Sequence, residues 1–139
     1  MTRKILSIIL CALLVTALVF TPGCKKNETV GTVQGEVTEL GEGEREFDFT
    51  VTDGEGNATA YLIRTDKETV GAALLELELI DGDEGEFGLY VKKVNGITAD
   101  YDKDGTYWAF YLNDEYATSG VDTTEIKEGD SYAFRINEA

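Results

Sequence analysis

Phe47, Phe49 and Val51 alternate with Asp48, Thr50 and Thr52. That period of two predicts a half-buried strand, one face apolar and the other wet. Asp53-Gly54-Glu55-Gly56-Asn57 is turn chemistry, and Ala58 to Arg64 returns as a second strand, so the pair predicts a hairpin. The period then changes. Val70, Ala73, Leu74 and Leu77 recur at helical spacing behind a capping Thr65 or Thr69, and Leu75, Leu79 and Ile80 widen the stripe. A helix from Val70 to about Ile80 is expected, closed by Asp81-Gly82 and lying against a sheet.

Strand periods resume downstream. Phe87 to Val94 reads as a third strand, ended by the turn pair Asn95-Gly96, and Ile97 to Gly105 as a loop. Tyr107 to Asn113 gathers the chain's one Trp with two Tyr and a Phe, which suits a pleated, covered surface. In it Trp108, Phe110 and Leu112 point one way, Tyr107, Ala109 and Tyr111 the other. A connection from Asp114 to Glu128 carries Gly120-Val121-Asp122. Gly129-Asp130 then turns the chain into a last strand with Tyr132, Phe134 and Ile136 on one side. Hairpin, helix, more strands is an α+β order, and a β-grasp-like mixed sheet with one helix packed across it fits best. A β-sandwich is the alternative, and the Val70–Leu77 periodicity argues against it.

The N-terminus has a different pattern. Arg3 and Lys4 precede an apolar run from Ile5 to Phe20, broken by Pro22-Gly23 ahead of Cys24. The run of 16 residues is shorter than the roughly 20 that a stable membrane span needs, so residues 1–23 are expected to be an export signal. Gly23-Cys24 followed by Lys25-Lys26-Asn27 resembles a bacterial lipoprotein processing site. That resemblance implies lipidation at Cys24 and an extracytoplasmic address, held to the cell membrane by the lipid. Residues 24–46 are polar, Gly-spaced and poor in large apolar side chains, as a tether is, with a short strand expected around Val33 to Val37. The folded domain is then 47–139, expected to be monomeric.

Composition narrows the chemistry. The chain has no His, and its two Cys are Cys11, inside the apolar run, and Cys24. His-based triads, His-ligated zinc, thiolate metal sites and disulfides are thereby excluded from the domain. The net charge is −15, and Arg3 and Lys4 are the only charges before Cys24, so the remainder carries −17. Such a surface repels nucleic acid and anionic headgroups. Acid pairs such as Asp81 and Asp83, or Glu84 and Glu86, arise by chance among 27 acidic residues, and no nucleophile or phosphate-binding loop accompanies them. The domain is therefore not expected to be an enzyme, and no cofactor is expected. Asp100-Tyr101-Asp102-Lys103-Asp104-Gly105 matches the first six places of a calcium loop, but Tyr111 stands where the twelfth-place Glu belongs. A metal-free turn is expected there.

Tyr107, Trp108 and Tyr111 offer flat faces with polar tips, as ligand sites do, although a lone Trp in a small domain is usually core. Thr69-Val70-Gly71, Gly88-Leu89-Tyr90-Val91, Val94-Asn95-Gly96, Asp100-Tyr101-Asp102, Tyr107-Trp108 and Gly120-Val121-Asp122 before Gly129-Asp130 form an ordered set over residues 47–136. The set resembles a bacterial family of secreted domains of unknown function, similar to the C-terminal β-domain of the cobalamin carriers transcobalamin and intrinsic factor. The resemblance implies a non-catalytic β-grasp-like binding module. In the carriers this domain covers one face of a corrin ring beside a large helical domain, for which the 116 residues after Gly23 leave no room, so weak capture is expected. The expected ligand-binding residues are Tyr107, Trp108, Tyr111, Gly120 and Val121. The expected ligand is a cobalamin-like or other flat small molecule, and the alternative is a structural or adhesive module contacting protein or glycan.

Overall fold

A computed structural model describes residues 35–139. The expected export segment, Cys24 and the expected tether up to residue 34 lie outside the described residues. The strand expected around Val33–Val37 is found slightly later, as β1 (Thr38–Gly41), so the sheet begins inside the stretch read as tether. β2 (Arg45–Thr52) and β3 (Ala58–Thr65) form the expected hairpin in register from Arg45↔Thr65 to Thr52↔Ala58. Asp53 closes its turn: Oδ1 accepts from the backbone N–H of Glu55 and Asn57, at 2.9 Å each. Those bonds, and the one from the Asn57 side chain above all, hold the Asp53 carboxyl below its usual range.

α1 runs from Val70 to Glu76, shorter than expected. Thr69 caps it, its Oγ1 accepting from Ala72 N–H at 3.3 Å. It ends in a Schellman arrangement: Leu79 N–H donates to Leu74 O and Glu78 N–H to Leu75 O, with Glu78 at φ 56°. Gly usually holds that left-handed place, and a Glu there hides the stop. Ile80, expected as the helix's last turn, instead opens β4 (Ile80–Gly85). β4 pairs with β5 (Gly88–Val94), and β5 with β6 (Ile97–Thr98), as a separate three-stranded sheet. Asn95-Gly96 makes the expected turn, both residues at positive φ. In the stretch expected to be loop, α2 (Tyr101–Asp104) adds a single turn after β6.

β7 (Thr106–Leu112), β8 (Glu115–Tyr116) and β9 (Ser131–Glu138) complete a six-stranded sheet in the order β1-β3-β2-β9-β7-β8. β2 and β9 lie parallel at its centre, with antiparallel partners outside them. A parallel central pair, with antiparallel β3 and β7 on its flanks and a helix that comes between the two in the chain, is the β-grasp pattern. Val70, Ala73 and Leu74 of α1 join the buried cluster of Phe47, Phe49, Ile63, Tyr132 and Phe134, which sets the helix across that face. The aromatics interlock: Phe47 meets Tyr132 edge-on at 5.3 Å, and Phe110 lies 5.1 Å from Phe134. Tyr132, 1% exposed, donates its hydroxyl to Glu125 O at 3.2 Å and accepts from Lys127 N–H at 3.1 Å. Burial pushes its pKa up.

A candidate ligand groove at the edge of the aromatic strand

β7 sits next to the sheet's edge, and its partner there is short. β8 pairs only with Tyr111 and Leu112, and beyond it Ala117 N–H donates to Phe110 O at 2.9 Å. Trp108 and Thr106 share the parity of Phe110, so their backbone N–H and C=O groups also turn to that side. No strand among the described residues pairs with them there. β5 and the segment 119–121 come up to this edge and leave a groove of about 220 Å³. Its wall is Leu89 and Tyr90 from one side, Tyr107 and Trp108 from β7, and Tyr116 with Gly120-Val121 from the other.

Four of the five expected binding residues thus line one groove, in different capacities. Trp108 is core, 6% exposed, its indole N–H satisfied by Ile97 O at 3.0 Å. Val121 is also buried and forms the floor. Tyr107 is half-buried and presents its ring at the rim. Tyr111 lies outside. It stands on the sheet face away from the helix, with the Arg135 guanidinium 4.5 Å over its ring and Asn137 donating to its hydroxyl at 3.0 Å. Strand alternation separates it from Trp108. Tyr116, unnoticed in sequence because it follows a turn rather than an aromatic run, meets Tyr111 edge-on at 5.6 Å and closes the rim. Burial of its hydroxyl, beside Tyr107, raises its pKa, so it remains a donor at neutral pH.

Gly120, on the groove wall, also makes room for a side chain. A Cβ on it would fall 2.6 Å from Asp122 Oδ1, and one on Gly88 would fall 2.8 Å from Asp122 Oδ2. Both glycines make room for the Asp122 carboxylate, whose Oδ1 is buried with no hydrogen-bond partner. Asp122 also faces a second hollow of about 270 Å³ with Glu84, Gly88 and Leu89. A larger concavity of about 470 Å³ lies behind the C-terminal end of α1, lined by Leu75, Glu78, Ile80, Asp81 and Lys93. It contains no aromatic wall and is a less specific surface.

The acidic loop uses its carboxylates locally. Asp100 caps α2, Oδ1 accepting from Asp102 N–H at 3.1 Å, while Asp104 Oδ1 accepts from Asp100 N–H at 3.3 Å. Lys103 Nζ lies 3.5 Å from Asp100 Oδ2. Among the described residues, no three His, Cys, Asp or Glu side chains are grouped so as to hold a metal ion.

The comparisons agree with this architecture. A crystal structure of a candidate metal binding protein from Ruminococcus gnavus is similar with a TM-score of 0.65 and 28% identity, over 69% of this chain and 99% of that one. Haptocorrin in complex with Cbi is similar with a TM-score of 0.53 and 17% identity, over 67% of this chain and 25% of haptocorrin, and that likeness shows the fold alone. No curated protein matches the chain. The family described as a domain of unknown function, DUF4430, matches residues 68–138, from the turn before α1 to the end of β9. With half of its length under that match, and the carrier-like fold beside it, the chain belongs to the DUF4430 family.

Proposed function

We propose that this domain is a non-catalytic binding module that takes one face of a flat, largely apolar small molecule along the free edge of β7. The groove between Tyr107, Trp108, Tyr116 and Gly120-Val121 carries the reading. Its size sets the strength. At about 220 Å³ it is smaller than the ~300–1,000 Å³ of pockets that enclose a drug-sized molecule, so it grips an edge or a face. A dissociation constant around the micromolar range is the tightest expected. The haptocorrin likeness makes a corrinoid the first ligand to try. The export pattern and Cys24 support an extracytoplasmic address for this module, held by a lipid anchor through a tether.

The test is titration of the purified domain with cobalamin and simpler corrinoids, read by their visible bands and by Trp108 fluorescence. Saturation that weakens about tenfold in Tyr107→Ala supports the groove, since an aromatic contact contributes roughly 0.5–1.5 kcal/mol beyond its buried area. Unchanged bands and fluorescence at millimolar ligand remove the small-molecule reading. An adhesive module contacting protein or glycan is then preferred, and one observation favours it: Phe87, at the tip of the β4–β5 hairpin, is 93% exposed.

A further inference from the structure

Two hollows meet at the rim of the groove. The aromatic one lies against β7; the other is lined by Glu84, Gly88, Leu89 and Asp122, and Leu89 belongs to both. Gly120, on the wall of the first, touches the carboxylate that faces the second. Neither hollow is lined by Lys or Arg. Asp122 is partly buried, and its Oδ1 has no donor. Gly88 and Gly120 lie so near it that a Cβ on either would fall 2.8 Å or 2.6 Å from its oxygens, and neither supplies Oδ1 with a donor. A carboxylate oxygen withdrawn from water without a donor is costly, and a cation or N–H group placed against the carboxylate offsets that cost.

We propose that the ligand of this groove carries a positively charged arm, an ammonium or guanidinium, that seats beside the carboxylates of Asp122 and Glu84 while its flat apolar body lies on Tyr107 and Leu89. This rests on the groove being the binding site. Apolar contact sets the position of the body, and the carboxylates select the sign of charge. The chain's acidic surface acts in the same direction, drawing cations toward the rim and repelling anions. Anionic flat molecules are rejected on both counts.

Three probes of one shape separate the contributions: 1-naphthylmethylammonium, 1-naphthylmethanol and 1-naphthylacetate, each titrated into the domain by calorimetry or by amide shifts. The expected order is ammonium about tenfold tighter than the alcohol, with the acetate weakest. Asp122→Asn is expected to bring the ammonium down to the level of the alcohol and to leave the alcohol unchanged. Glu84→Gln, at an exposed position that does not carry the fold, is expected to lower only the ammonium, by about twofold to threefold. Equal binding of all three probes, or a cation preference that survives both substitutions, overturns the charge selection and leaves the groove standing. Binding of none of the three overturns both.

Discussion

Gly71→Ala is the sharpest perturbation of this domain, because two physical terms oppose each other there. Helix propensity alone favours Ala over Gly by about 1 kcal/mol in a helix interior. Gly71, however, lies in the first turn of α1, where the helix docks on the Gly120-Val121-Asp122 segment. A Cβ at Gly71 would stand 2.7 Å from Asp122 Cα and 2.9 Å from Asp122 N. Ordinary contact needs 3.4 Å or more, so the neighbouring backbone must retreat by roughly 0.7 Å. That backbone is held: Gly71 N–H donates to Val121 O and Val70 N–H to Thr124 O, each at 2.9 Å. Stretching two such bonds, at about 0.5–1.5 kcal/mol each, and overpacking at about 1–3 kcal/mol outweigh the propensity gain. The net expectation is a loss of about 1–5 kcal/mol, or a melting temperature lower by at least roughly 4–8 °C. Urea and thermal unfolding measure it. The displaced segment also forms the groove wall, so probe binding should weaken in the folded variant. A Gly71→Ala domain as stable as the parent, or more so, refutes the docking argument.

Leu74 is fully buried and Glu76 is exposed, so Leu74→Ala should cost about 2–5 kcal/mol and Glu76→Ala close to nothing, read by the same unfolding curves. Glu78→Gly should stabilise by about 0.5–1 kcal/mol, since a left-handed Glu is strained and its side chain is exposed; a loss there contradicts the C-cap. Tyr132 has a raised pKa in the folded state, so its contribution is whole below the ordinary value of about 10 and drains as pH rises through the folded value. Alkaline unfolding should therefore be shallower in Tyr132→Phe than in the parent, once each is referred to its neutral-pH stability. Calorimetry with calcium should show no saturable micromolar binding at Asp100–Gly105; binding that disappears in Asp102→Ala would show that a cation replaces the local caps.

How much of this was legible follows from what each residue reports. Alternation at Phe47–Val51 and Tyr132–Ile136 is enforced by one buried face, so the central strands were readable from period alone. The helix was readable as far as its stripe, but its end was masked: Glu78 takes a conformation that sequence assigns to Gly, and Leu79 and Ile80 continue an apolar run that belongs to the cap and to β4. β4 itself reads as Asp81-Gly82-Asp83-Glu84-Gly85, a polar, glycine-rich segment with no strand period, because almost all of it beyond Ile80 is exposed. The groove was half legible. Aromatic density pointed to β7 and alternation set Trp108 and Tyr111 on opposite faces, but that Tyr107 lines the groove while Tyr111, on the same face, does not depends on where β5 and the 119–121 segment come against the edge. Asp122 was visible only as part of a motif, since nothing in one sequence shows that a carboxylate lacks a donor.

The motifs that carried the resemblance pair up in space, and that changes what the family likeness means for function. Thr69-Val70-Gly71 and Gly120-Val121-Asp122 are one contact: the first N–H groups of α1, which no helix can satisfy internally, find their acceptors on Val121 and Thr124. Asn95 likewise fixes the second sheet to the rest, its N–H bonded to Leu79 O at 2.8 Å and its side chain accepting from the Tyr61 hydroxyl at 2.9 Å. These residues serve assembly and hold a helix, a loop and a small sheet around the open edge of β7. The scaffold therefore sets where a ligand lies. On the proposed reading, what it binds is decided by the side chains around that edge: Tyr107 and Tyr116 on the rim, Phe87 at the hairpin tip, and Glu84 with Asp122 beside them. A substitution among those five should change ligand preference with little effect on stability. A substitution at Gly71, Asn95 or Val121 should do the reverse, and only secondarily disturb the groove.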